Sequence, residues 1–205
     1  MSNRKRRKRA MRRRLMRRIS IISGAVVLAL GLIGLGLWAV FDRAPSPTSE
    51  FYPVEYEALI RDYAAQNDIP PAYVAGVILA ESSYRPEAVS SANAQGLMQL
   101  LPSTAEWIAG KLGETFAEGS LFDPETNIRY GCWYLGFLMK RYDGDMKCAS
   151  AAYHAGQGTV DRWLADPEAS KDGATLDAIP SAATDTYVQR VLRYYEKYDE
   201  IYAET

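Results

Sequence analysis

Histidine occurs once and cysteine twice in the 205-residue chain, and no pair of these residues has a metal-ligand spacing. A single histidine cannot complete a zinc site, so no metal is expected. The glycine-rich cradles that hold nucleotide phosphates are missing as well. There is no G-x-x-x-x-G-K-[ST] and no G-x-G-x-x-G, so no cofactor is expected from that source. Beyond residue 53 there is no convincing alternation of apolar and polar residues, which argues against a sheet.

Charge is lacking in two different ways. Residues 1–18 carry 11 Lys/Arg and no acid, and the following 23 residues, Ile19–Phe41, carry no charge at all. From Ala44 onward the balance reverses, with 12 Lys/Arg against 24 Asp/Glu. An uncharged run of that length crosses a bilayer as a helix. The basic block ahead of it keeps the N-terminus in the cytoplasm. Residues 1–18 are therefore expected to be a basic cytoplasmic tail, 19–41 a transmembrane signal anchor and 42–53 a Pro/Ser-bearing linker. Residues 54–205 form one globular domain on the extracytoplasmic side of the cell membrane. A nucleic-acid arm is the alternative for the basic block and a cleaved signal peptide the alternative for the span. The block's position against the apolar run and the length of that run favour the anchor, with no nucleic-acid partner. Outside the membrane Cys132 and Cys148 could pair; small core thiols are the other reading.

Helical spacing dominates the domain. Tyr56, Leu59, Ile60 and Tyr63 recur on one face. Pro71 opens a second helix with Val74, Val77, Ile78 and then Glu81 on one side. Ser103 with Glu106 reads as a capping box. Asp123 and Pro124 read as the N-cap and first residue of a long helix bearing Ile128, Leu135, Leu138 and Tyr142, closed at Gly144. "CASAAYHAG" is a small-residue helix ending in glycine, and Thr184 is a candidate cap for the last helix. The fold class expected is mainly α.

Glu81 interrupts this pattern. A carboxyl among Val, Ile and Leu loses hydration, which penalises its ionised form and raises its pKa. An acid that keeps its proton near neutral pH suits protonation of a leaving oxygen. The alternative is a glutamate at a helix end that faces solvent.

The stretch "ESSYRPEAVSSANAQGLMQLLPSTA" resembles the signature of lytic transglycosylases with a soluble-lytic-transglycosylase domain, relatives of goose-type lysozyme. Similarity continues, in order, through "LFDPETNIRYGCWYL", "AAYHAGQGTVDRWL" and "IPSAATDTYVQRVL". The resemblance implies a lysozyme-like single domain that cleaves the β-1,4 bond between N-acetylmuramic acid and N-acetylglucosamine in peptidoglycan glycan strands, leaving 1,6-anhydro ends. It makes Glu81 the catalytic acid, then base, without a second carboxylate. Ser90, Gly96, Gln99, Tyr153, His154 and Tyr187 match substrate-binding positions. Ser82, Met98, Ala152 and Gly156 match structural positions of the motif. Three departures stand out: His154 occupies a position where the family usually has Asn, Leu101 one where it commonly has a second Met, and Ala183 one where it usually has Glu. A hydrolytic muramidase and a non-catalytic peptidoglycan-binding module are the alternative readings.

Overall fold

The computed structural model of the protein describes residues 52–203. The expected tail, signal anchor and most of the linker lie outside the described residues. Among the described residues seven α-helices follow one another: α1 (Glu57–Gln66), α2 (Pro71–Ser82), α3 (Pro102–Leu112), α4 (Pro124–Arg141), α5 (Met146–Ala155), α6 (Gln157–Leu164) and α7 (Ala182–Ala203). A short 3-10 turn, Ser120–Phe122, precedes α4. Among the described residues there is no strand, only isolated bridges from Gln95 to Val89 and to Leu100. None of the described helices is long and apolar enough to cross a membrane.

The centre of the fold is α2. Pro71 stands at its first position, where a missing N–H costs nothing. Every residue from Ala72 to Ile78 is buried, so this helix is apolar all round and must be covered on every side. Its main cover is α7, and Gly76 sets how close the two lie. A Cβ at Gly76 would sit 3.0 Å from the backbone N of Tyr195. Helix α5 packs against α7, and its Ala149, Ala151 and Ala152 are fully buried. The buried Tyr73 hydroxyl and Ser150 Oγ, 2.8 Å apart, join α2 to α5. Tyr198 on α7 donates to the Pro53 carbonyl at 2.8 Å and thereby secures the N-terminal end of the described chain.

A smaller cluster, Leu100, Ala105, Ile108, Ala109, Leu121 and Tyr130, lies between α3 and α4. Trp107 and Trp133 are half-buried against it, their ring centroids 5.5 Å apart. Cys132 and Cys148 are both buried and free, in agreement with core thiols and not with a disulfide.

Two expected helix starts are corrected. The Ser103/Glu106 capping box does not form, because α3 begins a residue earlier, with Pro102 at N1 and no side-chain cap. The last helix begins at Ala182, so Thr184 is inside it, and Ser181 Oγ accepts the Thr184 N–H at 3.3 Å instead. The Asp123 cap stands as expected, accepting the Thr126 N–H at 2.9 Å.

Candidate active site

Glu81 sits in the last turn of α2, half-buried. Its pKa is raised to about 7, from an ordinary 4.5, by burial; the Tyr187 hydroxyl and the Arg190 guanidinium pull it back down. Burial prevails because lost hydration outweighs one phenol and one partly solvated charge. Carbonyl ends gathered at the helix C-terminus act in the same direction, since they disfavour an anion. No second carboxylate is among the groups that set this pKa.

Beyond Glu81 the helix is ended by two consecutive left-handed residues, Ser83 (φ 52°) and Tyr84 (φ 62°). The chain then folds into a compact loop that returns to α3. Ser90 organises its first half by accepting the N–H groups of Ala92 at 3.3 Å and Ala94 at 3.0 Å. Gln99, itself left-handed at φ 48°, donates its amide to the carbonyls of Ala88 at 3.0 Å and Gly96 at 2.9 Å. Both bonds use the amide nitrogen, which leaves the Gln99 carbonyl as a free acceptor. Gly96 (φ 77°) is buried, and a side chain there would run into the Leu121 carbonyl and the Asn127 amide. Met98 is fully buried against Gly131.

Tyr153 and His154 come from the end of α5, and Tyr187 from α7. The Tyr153 hydroxyl donates to the Met98 carbonyl at 2.7 Å. Burial and the nearby Glu81 charge hold the Tyr153 and Tyr187 phenols well above their usual pKa, so both remain proton donors. The Tyr187 hydroxyl is near enough to the Glu81 carboxyl to lower its pKa, and it is buried without a hydrogen-bond partner in this structure. The His154 ring stacks on Tyr187 at 4.6 Å between centroids, with its Nδ1 3.2 Å from Thr184 Oγ1. Burial, and then Arg190, lower its pKa below the ordinary 6.5, so the imidazole is neutral at pH 7. Gly156, at φ 85° and ψ 140°, is the joint between α5 and α6.

A cavity of about 270 Å³ opens beside these groups, lined by Gln99, Thr104, Tyr134, Tyr153, His154 and Gly156 among others. A second hollow of about 250 Å³ shares Thr104 and Tyr134 with it and continues to Ser103, Trp107 and Gln157. Glu81 does not line either one. Tyr153 is the link, since it lines the cavity and feels the Glu81 charge.

The residues singled out in the sequence thus divide spatially. Tyr187 acts on Glu81, Tyr153 feels the Glu81 charge, His154 stacks on Tyr187, and Gln99 shares a cavity wall with Tyr153 and His154. Gly96, Met98, Ser82 and Ala152 are buried in the frame; Ser82 returns its hydroxyl to the Ile78 carbonyl at 3.3 Å. Ser90 is engaged in its own loop. Two further residues escaped the sequence reading. Asn127 is fully buried and makes three bonds: its Oδ1 accepts the Met98 N–H at 2.8 Å, and its Nδ2 donates to Gln95 O at 2.9 Å and Leu121 O at 2.8 Å. A polar residue next to Ile128 on the buried side of α4 was the available signal. Arg190 is the other, and its neighbourhood to Glu81 has no sequence signature.

An all-helical domain whose central apolar helix ends in a shielded glutamic acid, beside a groove, defines the lysozyme-like class. Residues 58–175 match the Transglycosylase SLT domain family. The chain belongs to that family. It is 34% identical over 148 residues to the soluble lytic murein transglycosylase of Escherichia coli, an alignment covering 71% of this chain and 23% of that protein. The membrane-bound lytic murein transglycosylase C of Mannheimia succiniciproducens is 35% identical over 117 residues, 52% of this chain and 32% of that one. The crystal structure of an inactive mutant of the Pseudomonas aeruginosa lytic transglycosylase Slt superposes with a TM-score of 0.66 at 31% identity, over 74% of this chain and 25% of that chain. The chain thus spans about a quarter of the length of the soluble relatives it matches.

Proposed function

We propose that the domain is a peptidoglycan lytic transglycosylase that cleaves the MurNAc-β-1,4-GlcNAc bond and leaves 1,6-anhydro-MurNAc ends. The observation that carries this reading is Glu81, an acid held protonated up to about pH 7 at the end of a buried helix, with no partner carboxylate. Two-carboxylate glycosidases need a second acid at a defined separation. Here one carboxyl takes both roles. Glu81 gives its proton to the bridging oxygen as the bond to the anomeric carbon breaks, and the substrate's acetamido group stabilises that carbon. The Glu81 carboxylate then accepts the C6 hydroxyl proton while that oxygen bonds to the anomeric carbon. The ring closes, no water is consumed and Glu81 is protonated again.

The other residues serve this exchange. Tyr187 and Arg190 favour the carboxylate that the second half-reaction needs, which keeps the pKa from rising further. Tyr153, bonded to the Met98 carbonyl, fixes the wall between acid and cavity. The free Gln99 carbonyl and the His154 edge face sugar hydroxyls and N-acetyl groups. Gly96 and Ser90 act by shaping the loop that carries Gln99. Residues 19–41 anchor the domain to the cell membrane with residues 1–18 in the cytoplasm, and the linker of 42–53 keeps it on membrane-proximal glycan. The test is mass spectrometry of products from defined glycan strands, with Glu81→Gln alongside. Anhydro ends that vanish in the variant are the expected result. Hydrated ends would make the protein a muramidase, and an unaffected variant would remove Glu81 from the chemistry.

A further inference from the structure

Arg190 stands out in the domain's charge pattern. From Ala44 onward acids outnumber bases by 24 to 12, so an arginine here has carboxylates to choose from. Arg129 and Arg141 each close a 2.6 Å ion pair, with Glu114 and Asp161. Arg61 pairs with Glu57 at 2.7 Å. Arg190 has no carboxylate partner among the described residues, and its Nε is buried without any hydrogen-bond partner. A buried guanidinium N–H without a hydrogen-bond acceptor has lost its hydration with nothing in return.

Its location is equally specific. Thr184, Tyr187 and Arg190 follow at intervals of three on α7 and so lie near one face. The guanidinium carbon is 5.8 Å from the Tyr187 ring centroid, and the His154 ring stacks on the same tyrosine, 4.6 Å between centroids. The Arg190 charge reaches both the Glu81 carboxyl and the His154 ring. An unpaired arginine therefore stands within electrostatic reach of the acid and of the cavity rim. Ala183, exposed at the start of the same helix, brings no carboxylate to neutralise it.

We infer that Arg190 is a specificity-determining residue that binds a carboxylate of the glycan next to the scissile bond. This rests on the proposed glycan-cleaving function and names the substrate feature that function selects. Guanidinium matches carboxylate geometry in a way an ammonium does not, and a glycan hydroxyl would leave the charge uncompensated. Two groups on peptidoglycan carry such a carboxylate: the lactyl ether of muramic acid when the sugar is peptide-free, and the stem peptide when it is present.

The experiment measures dissociation constants in the Glu81→Gln protein, with and without Arg190→Gln and Arg190→Lys. Three strands are compared: peptide-free with free lactyl carboxylates, the same strand with those groups converted to carboxamides, and a strand bearing stem peptides. The Glu81→Gln protein is expected to bind one acidic strand about tenfold or more tighter than the carboxamide strand. Arg190→Gln is expected to reduce that ratio to within about twofold of unity, and Arg190→Lys to retain part of it. Preference for free lactyl groups assigns the carboxylate to the sugar, and preference for stems assigns it to the peptide. A ratio that Arg190→Gln leaves unchanged, or no preference in the parent, overturns the inference. A general loss of folding would scale all three strands together and leave the ratio untouched, and the Glu81→Gln background removes any contribution from the acid's own ionisation. Failure of the Glu81 protein to cleave any strand would overturn the proposed activity, while the binding ratio would still report on Arg190.

Discussion

Asn127 on α4 accepts the backbone N–H of Met98 at 2.8 Å, across 29 residues of chain. The same amide donates to two further carbonyls, so one buried side chain spans the loop after Glu81 and the turn before α4. Replacing it removes three bonds and strands their backbone partners. Asn127→Ala is expected to cost at least 3 kcal/mol in urea-unfolding stability, since each abandoned buried group costs ~1–3 kcal/mol. A loss under 1 kcal/mol would mean the loop holds itself.

Gly96 faces that same amide. Its φ of 77° strains any L side chain, and a Cβ there meets the Leu121 carbonyl and the Asn127 amide. Left-handed strain of ~1–2 kcal/mol adds to overpacking of ~1–3 kcal/mol. Gly96→Ala should therefore lower the urea midpoint as strongly as Asn127→Ala. The double variant should cost less than the sum, because both changes disrupt one contact.

The proposed reaction begins with a protonated Glu81, so kcat/KM on soluble glycan strands should fall as pH rises through about 7, the value burial imposes on this group. Arg190→Gln removes a charge that lowers this pKa and should move the alkaline limb upward. A profile falling near pH 4.5 would place the working acid in water.

Stability carries the same signature with a definite sign. The folded pKa of Glu81 lies above the unfolded one, so its contribution is fully present below about 4.5 and is lost as pH rises to about 7. A raised pKa of this size corresponds to ~3 kcal/mol. Glu81→Gln, which cannot ionise, should match the parent in melting temperature at pH 4 and exceed it at pH 8. Equal melting temperatures at both would show an acid that ionises as readily folded as unfolded.

Much of this was readable in the linear chain. Period-3.6 spacing marks α1 and α2, Asp123-Pro124 marks the start of α4, and glycine marks the end of α5, because helix termini are decided by local backbone chemistry. Where two local signals competed, proximity misled: Pro102 outranked the Ser103 cap, since a fixed φ with no N–H to satisfy starts a helix without help. Glu81 was conspicuous because an acid among Val, Ile and Leu is a local anomaly.

The amino-acid sequence alone determined most of the helices, the family to which the domain belongs and the acid that stands out within it, all of which follow from neighbours along the chain. Only the tertiary structure decided that Asn127 secures the loop and that Gly96 is packed instead of open. It also decided that Tyr153, Tyr187 and Arg190 gather around Glu81. Those relationships join residues 29 to more than 100 positions apart, and hydration lost or charge felt across such a distance depends on which surfaces the packed helices bring together.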